Sequence, residues 1–306
     1  MDKNTEKILM KLPDEVKSRL LRLPERFISD FEEIRVKSRC STMVISCGRE
    51  MSLNDAEYMT PELLEEILNR LLNYSYYAYE EELSKGYITI EGGHRVGVCG
   101  RVVLNNGRVH TIKDISSMNI RRSRQIIGSA GKIMGSVVDM NSRRIFNTLI
   151  ISPPKCGKTT LLRDIARSLS IMGWRVGICD ERSEIAGCSN GDTGYDLGCR
   201  TDILDGCPKA QGIMMLIRAM SPDVIITDEI GKKEDVAAIE SAMYAGVKTI
   251  TSIHGNSYEE VVSSTVGELI LNRVFETLIF LSSEPSTGTV RKVMKLAGMK
   301  RGDADA

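Results

Sequence analysis

Apolar residues recur every third or fourth position in some stretches of the chain and every second position in others, and these two periods divide it. From Glu6 to Arg26 the spacing is helical but is interrupted by Pro13 and Pro24, which predicts two short helices. Phe31 to Val36 and Met43 to Cys47 read as short strands. Thr60-Pro61-Glu62 is a helix start, and Leu63 to Leu72 continues it with apolar residues at i, i+3 and i+4. A second helical piece, Tyr74 to Leu83, carries four tyrosines, expected to form a packing face between helices rather than a base-stacking platform. The period then becomes two: Tyr87 to Ile90, Arg95 to Leu104 and Arg108 to Ile112 alternate, with Gly92-Gly93 and Asn105-Asn106-Gly107 as turns. Residues 1–125 are therefore expected to form an α+β domain with a β-meander, closing on the basic segment Met118 to Arg124.

After Gly128 strands and helices alternate, the pattern of a mostly parallel sheet flanked by helices. Strands are expected near Arg144–Ile151, Trp174–Cys179, Val224–Asp228, Val247–Ser252 and Thr277–Leu281, with helices including Ala210–Met220 and Lys233–Ala245. This α/β domain is assigned residues 126–306, the boundary resting on the change of period alone.

Composition narrows the function classes. Forty-one basic residues balance forty-one acidic ones, so no overall field draws the protein to nucleic acid or anionic lipid. The eight cysteines are scattered without a C-x-x-C pair and read as reduced thiols of a cytosolic protein. No apolar run is long enough to cross a bilayer and the N-terminus lacks the apolar core of a signal peptide. Work at a membrane would need another chain as the anchor.

The stretch around which the chain is organised runs from Ile150 to Asp164. An apolar strand ends in Ser152-Pro153-Pro154-Lys155-Cys156-Gly157-Lys158-Thr159-Thr160, and a helix follows with Leu161, Leu162, Ile165, Ala166 and Leu169 as its apolar stripe. Strand, loop, Gly-Lys-Thr and helix make a phosphate-binding P-loop, whose free backbone N–H groups and helix dipole favour a polyphosphate. Pro154, Lys155, Cys156, Gly157, Lys158, Thr159 and Thr160 are the expected nucleotide cradle. Lys158 is expected to reach the β- and γ-phosphates and Thr159 to ligate Mg²⁺. One departure stands out: Ser152 occupies the position where the motif has a glycine, usually for a left-handed or tightly packed backbone.

Further features sit where an ATPase needs them. The strand Val224 to Asp228 ends in Asp228-Glu229, so Asp228 is expected to hold Mg²⁺ and Glu229 to deprotonate the attacking water. A second strand ends in Asp180-Glu181, which makes Glu181 the other candidate for polarising water. A third ends in His254, placed to sense or stabilise the γ-phosphate. Arg95, Arg101, Arg121, Arg122 and Arg124 lie ahead of the P-loop domain, and arginine forks supplied by another domain or subunit stabilise transition-state charge. Gly187 to Gly212 is too long and too Gly-rich for a plain connection and is expected to be a mobile or functional loop; its Cys188, Cys199 and Cys207 lack metal-ligand spacing.

In combination, Asp180-Glu181, Pro222-Asp223 through Glu229, and Ala245-Gly246 through His254-Gly255-Asn256-Ser257 resemble the Asp box, Walker B and His box of type II/IV secretion ATPases. Ile120-Arg121-Arg122 looks like the arginine segment ahead of the motor in that family. Nearly the whole chain is similar to the stage III sporulation AA family, through Glu33-Ile34-Arg35-Val36, Gly93 to Arg101, Cys179 to Gly187, and Arg200-Thr201-Asp202 through Lys209. The resemblance implies a RecA-like P-loop ATPase domain preceded by a smaller N-terminal domain, binding ATP and Mg²⁺ and assembling as a hexamer. In that reading Arg95, Arg101 and Arg121 complete a nucleotide site. The protein would act in the mother cell, held at the outer forespore membrane by integral-membrane partners of a secretion-like channel, without stable nucleic-acid binding. Where general secretion motors have Gly-Glu-Ile-Arg, this chain has Asp228-Glu229-Ile230-Gly231, which leaves Glu229 and Glu181 both open as water activator, with position favouring Glu229. Two other readings remain at this level: a nucleic-acid-linked P-loop ATPase such as a helicase loader, and a nucleotide-binding scaffold that hydrolyses slowly.

Overall fold

The structure is a computed structural model that describes residues 3–53, 58–189 and 191–296. It divides into two compact units, one holding the described residues up to Arg124 together with Gly187–Tyr195, the other holding Gln125–Ala186 and the residues from Asp196 onward.

The first unit begins with α1 (Lys3–Lys11), α2 (Asp14–Leu20) and α3 (Glu25–Ser29). Pro13 and Pro24 are the residues immediately before α2 and α3, where a missing N–H costs nothing. Strands β1 (Phe31–Lys37), β2 (Met43–Ser46) and β3 (Arg49–Ser52) form one antiparallel meander. Helix α4 (Pro61–Leu71) starts on Thr60, whose side chain accepts the Leu63 N–H at 3.2 Å. A single 3₁₀ turn, Tyr76–Tyr79, runs into α5 (Glu80–Ser84). Then β4 (Tyr87–Ile90), β5 (His94–Asn105) and β6 (Arg108–Arg121) form a second meander, and β1 pairs with β6 to give a six-stranded sheet in the order β3-β2-β1-β6-β5-β4. Its core joins Ile8, Leu12, Leu20, Phe31, Leu64 and Ile120.

The tyrosine stretch departs from expectation. Tyr79 is buried, whereas Tyr74 and Tyr77 are exposed at 73% and 92%, so no tyrosine face packs between helices. The helix expected from Tyr74 is not formed: Tyr74 lies ahead of the 3₁₀ turn at φ 58°, and the turn's different angular period places Tyr77 outward.

The second unit opens with α6 (Met134–Val137) and the short pair β7 (Val138–Asp139) and β8 (Arg144–Ile145). There follow β9 (Thr148–Ser152), α7 (Lys158–Ile171), β10 (Val176–Asp180), β11 (Thr201–Asp205), α8 (Lys209–Met220), β12 (Val224–Glu229), α9 (Lys233–Tyr244) and β13 (Lys248–His254). The fold closes with α10 (Tyr258–Val262), α11 (Gly267–Leu271), β14 (Thr277–Ser282) and β15 (Thr289–Lys295). The seven-stranded sheet has the order β11-β10-β12-β13-β9-β14-β15; all neighbours are parallel except the terminal pair β14 and β15. Every residue of β9 and β10 is buried, the signature of strands covered on both faces. In this order β13 lies between β9 and β12, so the three strands that carry the P-loop, His254 and Asp228-Glu229 end side by side at one edge.

The Gly187 to Gly212 stretch is not one loop. Gly187–Tyr195 belongs to the first unit, Thr201–Asp205 is strand β11, and α8 has begun by Lys209. Glycine density masked strand β11. Among the described residues no group of three or more His, Cys, Asp or Glu side chains is placed to hold a metal, and no helix is long and apolar enough to cross a membrane.

Candidate active site

The P-loop is shaped by two left-handed residues, Lys155 at φ 62° and Gly157 at φ 84°. Ser152 is not one of them. It is the buried last residue of β9, registered opposite His254, and its Oγ donates to the Pro153 carbonyl at 2.9 Å. The conformational demand expected at Ser152 thus falls three and five residues later, and Ser152 itself is strand backbone. Helix α7 follows from Lys158 and buries Leu161, Leu162, Ile165, Ala166 and Leu169 as the stripe predicts. On the same helix, Asp164 accepts the backbone N–H groups of Gly128 at 3.0 Å and Ala130 at 2.7 Å, and Arg163 donates to the carbonyls of Ile185 and Glu184, both at 2.8 Å. These contacts fasten the P-loop helix to the chain on either side of it.

Lys158 lies at the centre. Its Nζ donates to the carbonyls of Ser152 at 3.1 Å and Pro153 at 3.3 Å, and lies 2.6 Å from His254 Nδ1. Burial holds its pKa below the ordinary lysine value, although Glu229 pulls the other way. His254 Nε2 is 2.8 Å from Glu229 Oε2. A relay of Lys158, His254 and Glu229 therefore crosses the ends of β9, β13 and β12, and it exists because the histidine strand is the middle one.

A second cluster adjoins it. Lys209, the first residue of α8 and 8% exposed, places Nζ 2.6 Å from Glu181 Oε2 and 2.9 Å from Asp228 Oδ1. Burial would lower the Lys209 pKa, but the two carboxylates outweigh it and the net direction is up. Burial likewise raises Glu181, yet the hydrogen bond and charge of Lys209 leave it below the usual glutamate value. For Asp228 burial wins over the same lysine and its pKa is raised. The Lys209 ammonium meets Asp228 Oδ1 off the best hydrogen-bonding direction, so charge dominates the contact. A buried carboxylate oxygen held mainly by charge, in a cleft that Thr159 also lines, fits a hard divalent cation. The cleft measures about 400 Å³ and is lined by both clusters and Thr159.

The structure brings Lys158, Thr159, Glu181, Asp228, Glu229 and His254 to this cleft. Lys209 was missed as a site residue. Its signal was present, since a lysine opening a helix points its charge against the helix dipole and needs an anionic partner. Pro154, Lys155, Cys156 and Thr160 follow the loop into α7, with the Cys156 thiol donating to the Pro154 carbonyl at 3.6 Å. Arg95, Arg101 and Arg121 belong to the first unit. There Arg95 stacks over Tyr87 at 3.8 Å, Arg101 Nε lies 2.8 Å from Asp114 Oδ2, and Arg121 Nε lies 3.4 Å from Glu33 Oε1.

The sporulation stage III, protein AA family model matches residues 2–301. The chain belongs to that family. It is 45% identical over 288 residues to stage III sporulation protein AA of Bacillus subtilis (strain 168), an alignment covering 92% of both chains. The chain is also similar in structure to solved proteins of low sequence identity. The pilus retraction motor PilT with bound ADP superposes with a TM-score of 0.60 at 14% identity, covering 91% of this chain and 80% of that one. The Legionella pneumophila ATPase DotB gives 0.56 at 15%, covering 88% and 76%. The chain thus shares the fold of PilT and DotB, with a mostly parallel sheet in its second unit.

Proposed function

We propose that this family member is a Mg²⁺-dependent ATPase of the secretion-motor type. The observation that carries the reading is the convergence of Lys158, His254 and Glu229 at the ends of three adjacent strands, beside the start of the P-loop helix. Backbone N–H groups of Gly157 to Thr160 cradle the polyphosphate, and Lys158 leaves its carbonyl partners for the β- and γ-phosphate oxygens. Glu229 accepts the proton of the water that attacks the γ-phosphorus, while His254 holds the Glu229 carboxylate in place and follows the movement of Lys158. Glu181, held by Lys209, serves charge balance rather than proton abstraction. Thr159 and Asp228 are the residues that would hold Mg²⁺, which when bound supplies neutralisation of the phosphate charge.

At the level of the assembly, the proposal is a hexamer in which Arg95, Arg101 or Arg121 completes a nucleotide site. The protein would work in the mother cell at the outer forespore membrane, attached through integral-membrane proteins of a channel complex. Family membership and the shared motor fold support this reading.

The test measures binding and turnover separately. Glu229→Gln is expected to bind Mg²⁺-ATP within a few-fold of the native chain and to lose hydrolysis by about 10²-fold or more. Lys158→Ala is expected to lose binding. A native chain with no measurable turnover, alone or with its membrane partners, would leave a binding scaffold as the reading.

A further inference from the structure

Two carboxylates at the cleft, the buried Asp228 and the part-exposed Glu181, face one another across a single nitrogen. Lys209 Nζ contacts Glu181 Oε2 and Asp228 Oδ1 at once, and Lys209 and Asp228 are 8% and 10% exposed at the side chain. The ammonium did not arrive there by chance of a flexible surface chain. Lys209 is the first residue of α8, directly after Pro208, and α8 packs on β10 and β12 through Ile213 and Leu216. A cation at a helix N-terminus is opposed by the helix dipole. Carboxylates on two different strands, β12 and the end of β10, supply what offsets it.

Resting on the ATP-site reading above, we propose that Lys209 is a positioning residue for metal: it acts as a built-in counter-cation on Asp228, so that a divalent ion enters the cleft with nucleotide phosphate and not before it. Asp228 Oδ1 is the oxygen in question, since the Lys209 ammonium 2.9 Å away is the charge that faces it. A bare divalent ion meets a like charge on that oxygen. A metal–polyphosphate brings its own negative charge, which offsets the ammonium, and phosphate oxygens as further ligands. Glu181 keeps its hold on Lys209 throughout, which fixes where the lysine goes when Asp228 is shared. The consequence is an order of loading: the protein does not scavenge divalent ions, and a carboxylate pair of this kind does not draw metal in the absence of substrate.

The test titrates Mn²⁺ into the full-length chain without nucleotide and follows free Mn²⁺ by electron paramagnetic resonance. Lys209→Met leaves a true dicarboxylate and is expected to bind Mn²⁺ at least tenfold more tightly than the native chain; adding Asp228→Asn should return the affinity to native or below. A Lys209→Met chain that unfolds cooperatively yet binds Mn²⁺ no more tightly than native overturns the proposal. If Lys209→Met fails to fold, the native chain decides: Mn²⁺ should bind at least a hundredfold more tightly with a non-hydrolysable ATP analogue present than without it. Equal affinity in the two conditions, with the analogue bound, overturns the proposal. Failure of the native chain to bind the analogue at all removes the ATP reading instead, and the nucleotide-free comparison of native and Lys209→Met still judges the lysine.

Discussion

Asp180 shows how one buried residue can be read from its partners. It is fully buried, and its carboxylate accepts the backbone N–H groups of Glu184, Ile185 and Ala186 at 2.8 to 2.9 Å, shaping the turn that leaves β10. Burial pushes its pKa up to about 6 from 3.8, against the pull of those N–H donors. Folding therefore takes up a proton between these values. The contribution of the group to stability is full below pH 3.8 and is lost as pH rises through about 6. Relative to Asp180→Asn, which does not titrate, the native chain is expected to lose about 3 kcal/mol between pH 4 and pH 7. Urea unfolding of both chains across that range measures it, and a constant difference would show that Asp180 titrates as an ordinary aspartate. The sequence marked Asp180 only as the neighbour of Glu181. What it could not display is that the acid is spent on backbone N–H groups, because those partners follow it within six residues and look like loop. Asp228, Glu229 and His254 were legible because they end strands of a parallel sheet, and Lys158 because it opens the helix that follows such a strand; strand ends in such a sheet share one edge.

The same distinction holds among elements. Strands β9, β10 and β12 to β14 are buried nearly end to end, and their unbroken apolar runs announce them. Strands β11 and β15 lie at the two edges of the sheet, half-exposed, and β11 also sits inside a glycine-rich stretch; neither offers an apolar run to read. Helix α8 was predicted but its tight seating on β10 was not. A Cβ on Gly212 would fall 2.3 Å from Cys179 Sγ and 3.3 Å from Cys207 Sγ, so glycine is what lets the helix approach the strand and set Lys209 over Asp228. Burial pushes the Cys179 thiol up to about 12, which keeps this contact an apolar one. Gly212→Ala is therefore expected to cost about 1–3 kcal/mol of stability, despite the better helix propensity of alanine. It should also weaken nucleotide binding by shifting the helix start. Denaturant unfolding and nucleotide titration check the two effects; an alanine variant as stable as the native chain would mean that α8 has room to spare.

At the scale of the whole molecule, the proposed hexamer makes its own prediction. Blocking hydrolysis should hold nucleotide in the cleft and populate the assembled state. Light scattering of Glu229→Gln is expected to show a sixfold mass with Mg²⁺-ATP and a lower mass without it. A monomer in both conditions would point to assembly that needs the membrane partners. The arginines of the first unit could be singled out in sequence by their charge, but their Asp114, Glu33 and Tyr87 partners are set by strand register, which alternation alone does not fix.

The first unit is also discontinuous in the chain. Its last strand, β6, ends at Arg121, yet Gly187–Tyr195 completes it, with Tyr195 and Ser123 sharing a hydrogen bond between their hydroxyls and Ser189 bridging to Asp192. On the ribosome, where the N-terminal part of a chain emerges first, this unit waits for its final piece until β9, α7 and β10 have already left the exit tunnel. A gene fragment ending near codon 125 would therefore encode this unit without its Gly187–Tyr195 segment.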